Sequence, residues 1–96
     1  MAIVAVFQSP TLTQDDYEKV VGRLTGGKNR MESPSDWPVP GLLLHVAGEG
    51  ENGFRVVDVW ESQEAFERFG ETLVPLLQEL EVDAQPEVYP ALAVVP

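Results

Sequence analysis

The segment GLLLHVAGEGENGFRVVDVWES, residues 41–62, constrains this chain more than any other. Two β-rich runs, Leu42 to Ala47 and Phe54 to Trp60, flank the glycine-rich bend GEGENG, which is the pattern of a β-hairpin. A lone hairpin is at best marginally stable in water, so other elements must cover it. Upstream, Ala2 to Gln8 is β-rich and ends at Ser9-Pro10, and LTQDDYEKVVGRLTGGK follows with helical spacing. Downstream, a second helix opens at Ser62, and Glu87 to Val95 reads as a last strand. The order strand, helix, strand, strand, helix, strand predicts one α+β domain over residues 1–96. Its arrangement is the ferredoxin-like β-α-β-β-α-β, a four-stranded antiparallel sheet with both helices on one face.

The helices carry their own punctuation. Thr13 is the expected N-cap of the first, with Asp16 placed to reach back as a capping-box variant. Leu12 and Tyr17 fall at the hydrophobic-staple positions, Tyr17, Val20, Val21 and Leu24 form an apolar stripe, and Gly26-Gly27 supplies the stop. In the second helix Phe66, Phe69, Leu73, Leu76, Leu77 and Leu80 share a face. Pro75 predicts a kink or break near Thr72 to Val74, with a further turn beyond it. Lys28 to Pro40 holds three prolines and Trp37, and reads as a long loop with little repetitive structure.

The strands do not alternate as a half-covered sheet should. Val4 and Val6 lie among Ile3, Ala5 and Phe7, and Leu43 lies between Leu42 and Leu44; Ala91 and Ala93 likewise flank Leu92. Two helices cover one face only, so the other face is expected to meet its own copy about a two-fold axis, making a homodimer. A 96-residue chain buries only about 60–65% of its unfolded surface, which also favours a partner.

Charge and composition remove several function classes. Sixteen Asp and Glu against six Lys and Arg give a net charge of −10, which disfavours nucleic acid and anionic membranes as partners. Cysteine is absent, excluding disulfides and thiol chemistry. One histidine and scattered carboxylates offer no metal-ligand spacing. GEGENG joins two strands and precedes no helix, so it is no phosphate loop. MAIVAVFQSP lacks a basic leader, and no apolar run approaches the ~18 residues of a membrane span. A cytoplasmic protein is expected.

VVDVWES-QEAFERF, which ends the hairpin and enters the helix, resembles the antibiotic biosynthesis monooxygenase-like families of the dimeric α/β-barrel superfamily. The whole hairpin and the proline of LVPLL support the resemblance, which covers roughly the central half of the chain. It implies two ferredoxin-like subunits whose sheets form a barrel, each with a pocket between its sheet and helices. Members include cofactor-free oxygenases of aromatic polyketides and quinols, and haem-degrading oxygenases. The haem-degrading pattern joins a strand Trp to an Asn on the first strand and a His on the second helix. Here Ala2 to Gln8 holds no Asn and Ser62 to Glu81 no His. The cofactor-free members often use Asn, Trp or Arg near the pocket, and this chain has only Asn29 and Asn52, both in loops.

Two residues are candidates for acid–base chemistry. Asp58 shares a strand face with Val56 and Trp60, where a carboxylate needs a partner; it is either a general base or a structural carboxylate paired with an arginine or satisfied at a sheet edge. His45, the one histidine, is either the acid/base partner or a hydrogen-bonded structural group. Pairing Ala47 with Phe54 puts both on one face, and a one-residue slip separates them. For ligand contact, Trp60 packs over the second helix near Phe66 and also suits a pocket wall. Trp37 caps a pocket or pins its loop, and Tyr89 belongs to an interface or a pocket. The function expected is binding of a hydrophobic, aromatic small molecule without cofactor: His45 or Asp58 removes a proton, Trp60 positions the ring, and the anion reacts with oxygen. The alternative is a non-catalytic homodimeric ligand carrier or accessory interaction module. An isomerase or cyclase on the same fold would use the same base.

Overall fold

In a computed structural model, which describes residues 1–95, the chain forms β1 (Ile3–Gln8), α1 (Gln14–Thr25), a single 3-10 turn at Pro34–Asp36, β2 (Leu42–Gly50), β3 (Gly53–Trp60), α2 (Gln63–Glu79) and β4 (Pro86–Pro90). The sheet is antiparallel in the order β2-β3-β1-β4, the ferredoxin-like arrangement expected from the sequence. Both helices begin as their sequences dictate. The Thr13 hydroxyl accepts from the Asp16 N–H at 3.1 Å, and the Asp16 carboxylate accepts from the Thr13 N–H at 3.3 Å, a reciprocal capping box. Ser62 caps α2 by accepting from the Ala65 N–H at 3.1 Å. Gly26 and Gly27 close α1 at φ of 77° and 127°, conformations that cost an L residue steric energy.

The core lies between the helices and one face of the sheet. Ala5 and Phe7 of β1, Leu42 of β2, and Phe54, Val56 and Trp60 of β3 meet Val21 of α1 and Ala65, Phe69 and Leu73 of α2. Gly41 permits the tightest approach in this layer. At φ 110° it precedes β2, and a Cβ there would sit 2.7 Å from the Ala65 Cβ, so only glycine lets the strand entry pass beneath α2. Its carbonyl accepts from the Glu61 N–H at 2.8 Å, closing the sheet at the point where β3 hands over to α2.

Three elements differ from the sequence expectation. α2 is not broken at Pro75: it runs through to Glu79, held by Leu73 and Leu76, which are buried on either side of the proline. β4 stops at Pro90 rather than Val95, because its ladder partner β1 begins at Ile3, opposite Pro90; one further bond runs from the Ala91 N–H to the Ala2 carbonyl. The hairpin turn is tighter than GEGENG suggests, since Gly50 pairs with Gly53 and leaves only Glu51 and Asn52 between the strands. Ala47 therefore faces Val56, two residues from the Phe54 pairing considered above, and an even shift preserves which residues share a face. A bulge between Leu42 and Leu44 interrupts the regular β2–β3 ladder.

The opposite face of the sheet is mostly apolar; Val6 and Val59 at its centre are buried, and its β2 and β4 margins are exposed within one chain. Leu44 and Val46 are about half exposed there, and Tyr89, opposite Val4, is 43% exposed.

Candidate functional site

Because His45 lies directly opposite Asp58 in the β2–β3 ladder, and Ala5 faces Asp58 from β1, these three side chains project toward the helices. Asp58 is 1% exposed, the one buried charged residue among those described. Ala5 flanks Asp58 on the side away from His45. Asp58 Oδ1 and His45 Nδ1 are 2.6 Å apart, and His45 Nε2 lies 2.6 Å from the Tyr17 hydroxyl of α1. With Asp58 ionised and the imidazole neutral, Nδ1 carries the hydrogen toward the carboxylate and Nε2 accepts from the Tyr17 hydroxyl. The result is a continuous chain, Tyr17 O–H to His45 to Asp58, with its carboxylate end in the core and its phenol end half-buried.

Aromatic rings hold the imidazole in place. Tyr17 stacks beside it at 5.8 Å and 17°, and Trp37 tilts over it at 5.1 Å while stacking on Phe69 at 5.8 Å. The loop carrying Trp37 is tied by Asp36. That carboxylate accepts from the backbone N–H groups of Glu32 (2.9 Å) and Ser33 (3.1 Å), and from Lys28 Nζ at 2.9 Å. Those bonds, the Glu32 N–H first and the Lys28 ammonium next, hold its pKa below the usual carboxylate range. Trp37 thus both pins the loop and roofs the histidine.

Tyr17 is the member of this hydrogen-bonded chain that the sequence reading assigned to packing alone. A signal was available: a tyrosine on a buried helix stripe must place its hydroxyl against a polar partner, and His45 is the only histidine. Burial, and then the negative charge of Asp58, push its pKa from 10 up to about 12. The neutral phenol is therefore the form the fold favours. Between pH of about 10 and 12 the folded chain retains a proton that the unfolded chain has released, so stability is full below that window and falls as pH rises through it. In a Tyr89→Phe variant, where Tyr17 is the sole tyrosine, phenolate absorbance is expected to develop near pH 12. A midpoint near 10 would mean that the phenol is solvated and the chain to Asp58 broken.

The other expected ligand residues separate. Trp60 is fully buried, stacked on Phe69 at 4.8 Å, and is a joint between sheet and α2 rather than a pocket wall. Tyr89 lies on the far face of the sheet, because strand parity pairs it with Val4 and not with Ala5. Phe66 lines a cleft of about 570 Å³ along α2 and the segment leading to β4. Tyr17, Trp37, His45 and Asp58 instead line a smaller apolar cavity of about 60 Å³ between sheet and helices. The two spaces share walls at Phe7, Leu73, Leu77, Val82 and Ala84. Among the described residues, no three His, Asp or Glu side chains converge on a point where a metal ion would sit, and no helix is long and apolar enough to cross a membrane.

No protein-family profile and no curated protein sequence matches the chain. Solved structures do. SnoaB, a cofactor-independent oxygenase from Streptomyces nogalater, superposes with a TM-score of 0.58 at 16% identity, over 99% of this chain and 95% of that one. A point variant of the same protein gives 0.59 at 17%, with the same coverage. A Deinococcus radiodurans protein provisionally assigned as an antibiotic biosynthesis monooxygenase gives 0.54 at 12%, over 100% and 97%. Likeness at these identities establishes a shared ferredoxin-type fold.

Proposed function

We propose that the chain is a small-molecule protein of the antibiotic biosynthesis monooxygenase-like group, and that it takes a proton from a hydrophobic aromatic ligand without a cofactor. The observation that carries this reading is the Tyr17–His45–Asp58 chain, whose two hydrogen bonds of 2.6 Å join a surface-reaching phenol to a buried carboxylate. A base of this kind works because Asp58 fixes the imidazole tautomer and balances the positive charge that develops when Nε2 gains a proton. A structural neighbour being a cofactor-independent oxygenase supports the next step. The electron-rich ligand anion gives one electron to dioxygen, and the radical pair joins at carbon as a peroxide. The imidazolium returns its proton, and loss of water leaves a carbonyl.

Oxygen uptake with anthrone and naphthoquinol substrates tests the reading. Turnover is expected, and His45→Gln is expected to reduce it by about 100-fold or more. Glutamine retains a donor toward Asp58 and so spares the fold. Turnover unchanged in that variant would remove His45 from the chemistry. Binding without oxygen uptake would favour a second reading, a non-catalytic homodimeric ligand carrier or accessory module. One observation speaks for that reading: the cavity against Asp58, at about 60 Å³, is nearly filled by side chains.

The working unit in this proposal is a homodimer joined through the uncovered sheet face. Leu44, Val46 and Tyr89 on that face are an apolar surface of the kind that marks an interaction site. Light scattering is expected to give about twice the 10.6 kDa chain mass, and Val46→Glu to return it to one. A wild-type monomer at micromolar concentration would rule this out.

A further inference from the structure

His45 and Tyr17 border two spaces. On the core side is the cavity of about 60 Å³, too small for an aromatic ring. On the solvent side, between α1, the segment after it and the β2–β3 hairpin, is a pocket of about 300 Å³. Gln14, Tyr17, Asn29, Arg30, His45 and Phe54 line it. The cleft of about 570 Å³ along α2 is larger, yet none of Tyr17, Trp37, His45 or Asp58 reaches it. A ligand held there cannot exchange a proton with the relay directly.

We propose that the solvent-side pocket binds a single-ring phenol or enol, and that Tyr17 is the group that meets its hydroxyl. This inference rests on the proton-abstraction reading above and names where the proton enters. The pocket suits such a ligand on each side. Phe54 and Ala47 supply an apolar floor for one ring, Gln14 and Asn29 supply amides, and Arg30 supplies a cation for the oxygen that becomes negative. The field of Arg30 already reaches the Tyr17 phenol, opposing the effect of burial on its pKa. Glu18 and Glu49 also line the pocket, Asp58 lies behind the imidazole, and the remaining facing charge is Arg30 itself.

One proton moves in two linked steps. The ligand O–H breaks as a new O–H forms on Tyr17; the original Tyr17 O–H breaks as N–H forms on His45 Nε2. The imidazolium is balanced by Asp58 and the ligand oxyanion by Arg30. No electrons change hands, and tyrosinate never accumulates, which agrees with a phenol whose own ionisation is pushed upward.

The test uses the full chain and 4-nitrophenol, whose anion is coloured. Bound probe is expected to ionise about one pH unit below free probe. Tyr17→Phe is expected to abolish that lowering while leaving affinity for the neutral probe within about threefold, and Arg30→Gln to weaken binding of the anion by about tenfold. Two variants place the probe. Ala47→Phe fills the solvent-side pocket and is expected to block binding. Gly70→Phe projects into the α2 cleft, where an added Cβ meets nothing within 4 Å, and is expected to leave binding intact. The opposite pattern, or a lowering that survives Tyr17→Phe, overturns this inference while the oxygen-uptake test of His45→Gln stands independently. Absence of saturable binding by the probe overturns it as well.

Discussion

Replacing His45 by alanine is expected to lower the unfolding free energy by about 3–5 kcal/mol. The substitution removes the one side-chain hydrogen-bond donor of Asp58, a carboxylate only 1% exposed in the intact chain. The stranded group must then either stay charged in a poorly solvating interior or bind a proton to become neutral, and both are unfavourable. Asp58→Ala is expected to cost less, about 2 kcal/mol, because an imidazole left alone can stay neutral and orphans only one N–H. The asymmetry is the informative part. Urea denaturation of both single variants and of a His45→Leu, Asp58→Leu pair measures it. The paired apolar replacement is expected to be more stable than His45→Ala, since it strands nothing. Equal, small losses in both single variants would show that water reaches the pair, and the chain from Tyr17 to Asp58 would lose its role as a shielded relay.

Trp60→Ala is expected to cost about 3–5 kcal/mol through the cavity it leaves. The indole is fully buried, stacks on Phe69 at 4.8 Å, and lies opposite Ile3 and Leu42 in the neighbouring strands. Its Nε1–H has no acceptor among the described residues, so part of its packing gain offsets an unpaired donor. Trp60→Phe removes that donor with most of the packing kept, and is expected to cost well under half as much. In a Trp37→Phe protein, Trp60 becomes the sole tryptophan; its emission is expected to be blue-shifted and resistant to soluble quenchers, and unchanged by aromatic ligands. Saturable quenching by such ligands would return Trp60 to the binding surface and contradict its place in the core.

What could be read from the chain follows from the range of the forces involved. Capping at Thr13 and Asp16, the stop at Gly26, and the order of elements depend on neighbours a few residues apart, and each was legible. The shared face of His45 and Asp58 was half legible: parity along β3 placed Asp58, but the partner strand depended on where a glycine-rich turn closes. Trp60 was read first as a joint, and its full burial agrees. Tyr17 was missed because a staple residue and a hydrogen-bonding phenol have the same sequence signature, and only tertiary contact separates them. Pro75 was weighted by its local cost, while the burial of Leu73 and Leu76 that keeps α2 continuous is a property of the packed layer. Tyr89 depended on the register of β4 against β1, which nothing nearby in sequence encodes.

The bulge between Leu42 and Leu44 has a consequence for how such a site arises. Leu42 and His45 are an odd number of positions apart, yet both face the helices, opposite Trp60 and Asp58 respectively. A regular strand would turn one of them outward. The extra residue lets the strand anchor the sheet with a leucine and still deliver its histidine to the interior. Loss of the single codon for Leu43 would therefore leave Leu42 and His45 two apart on a regular strand, both still inward and opposite Trp60 and Asp58. The bulge thus absorbs a one-residue difference in the length of the strand entry without moving the relay. Chains of this fold are best aligned on the histidine and its partner across the ladder, with a one-residue gap allowed at the strand entry.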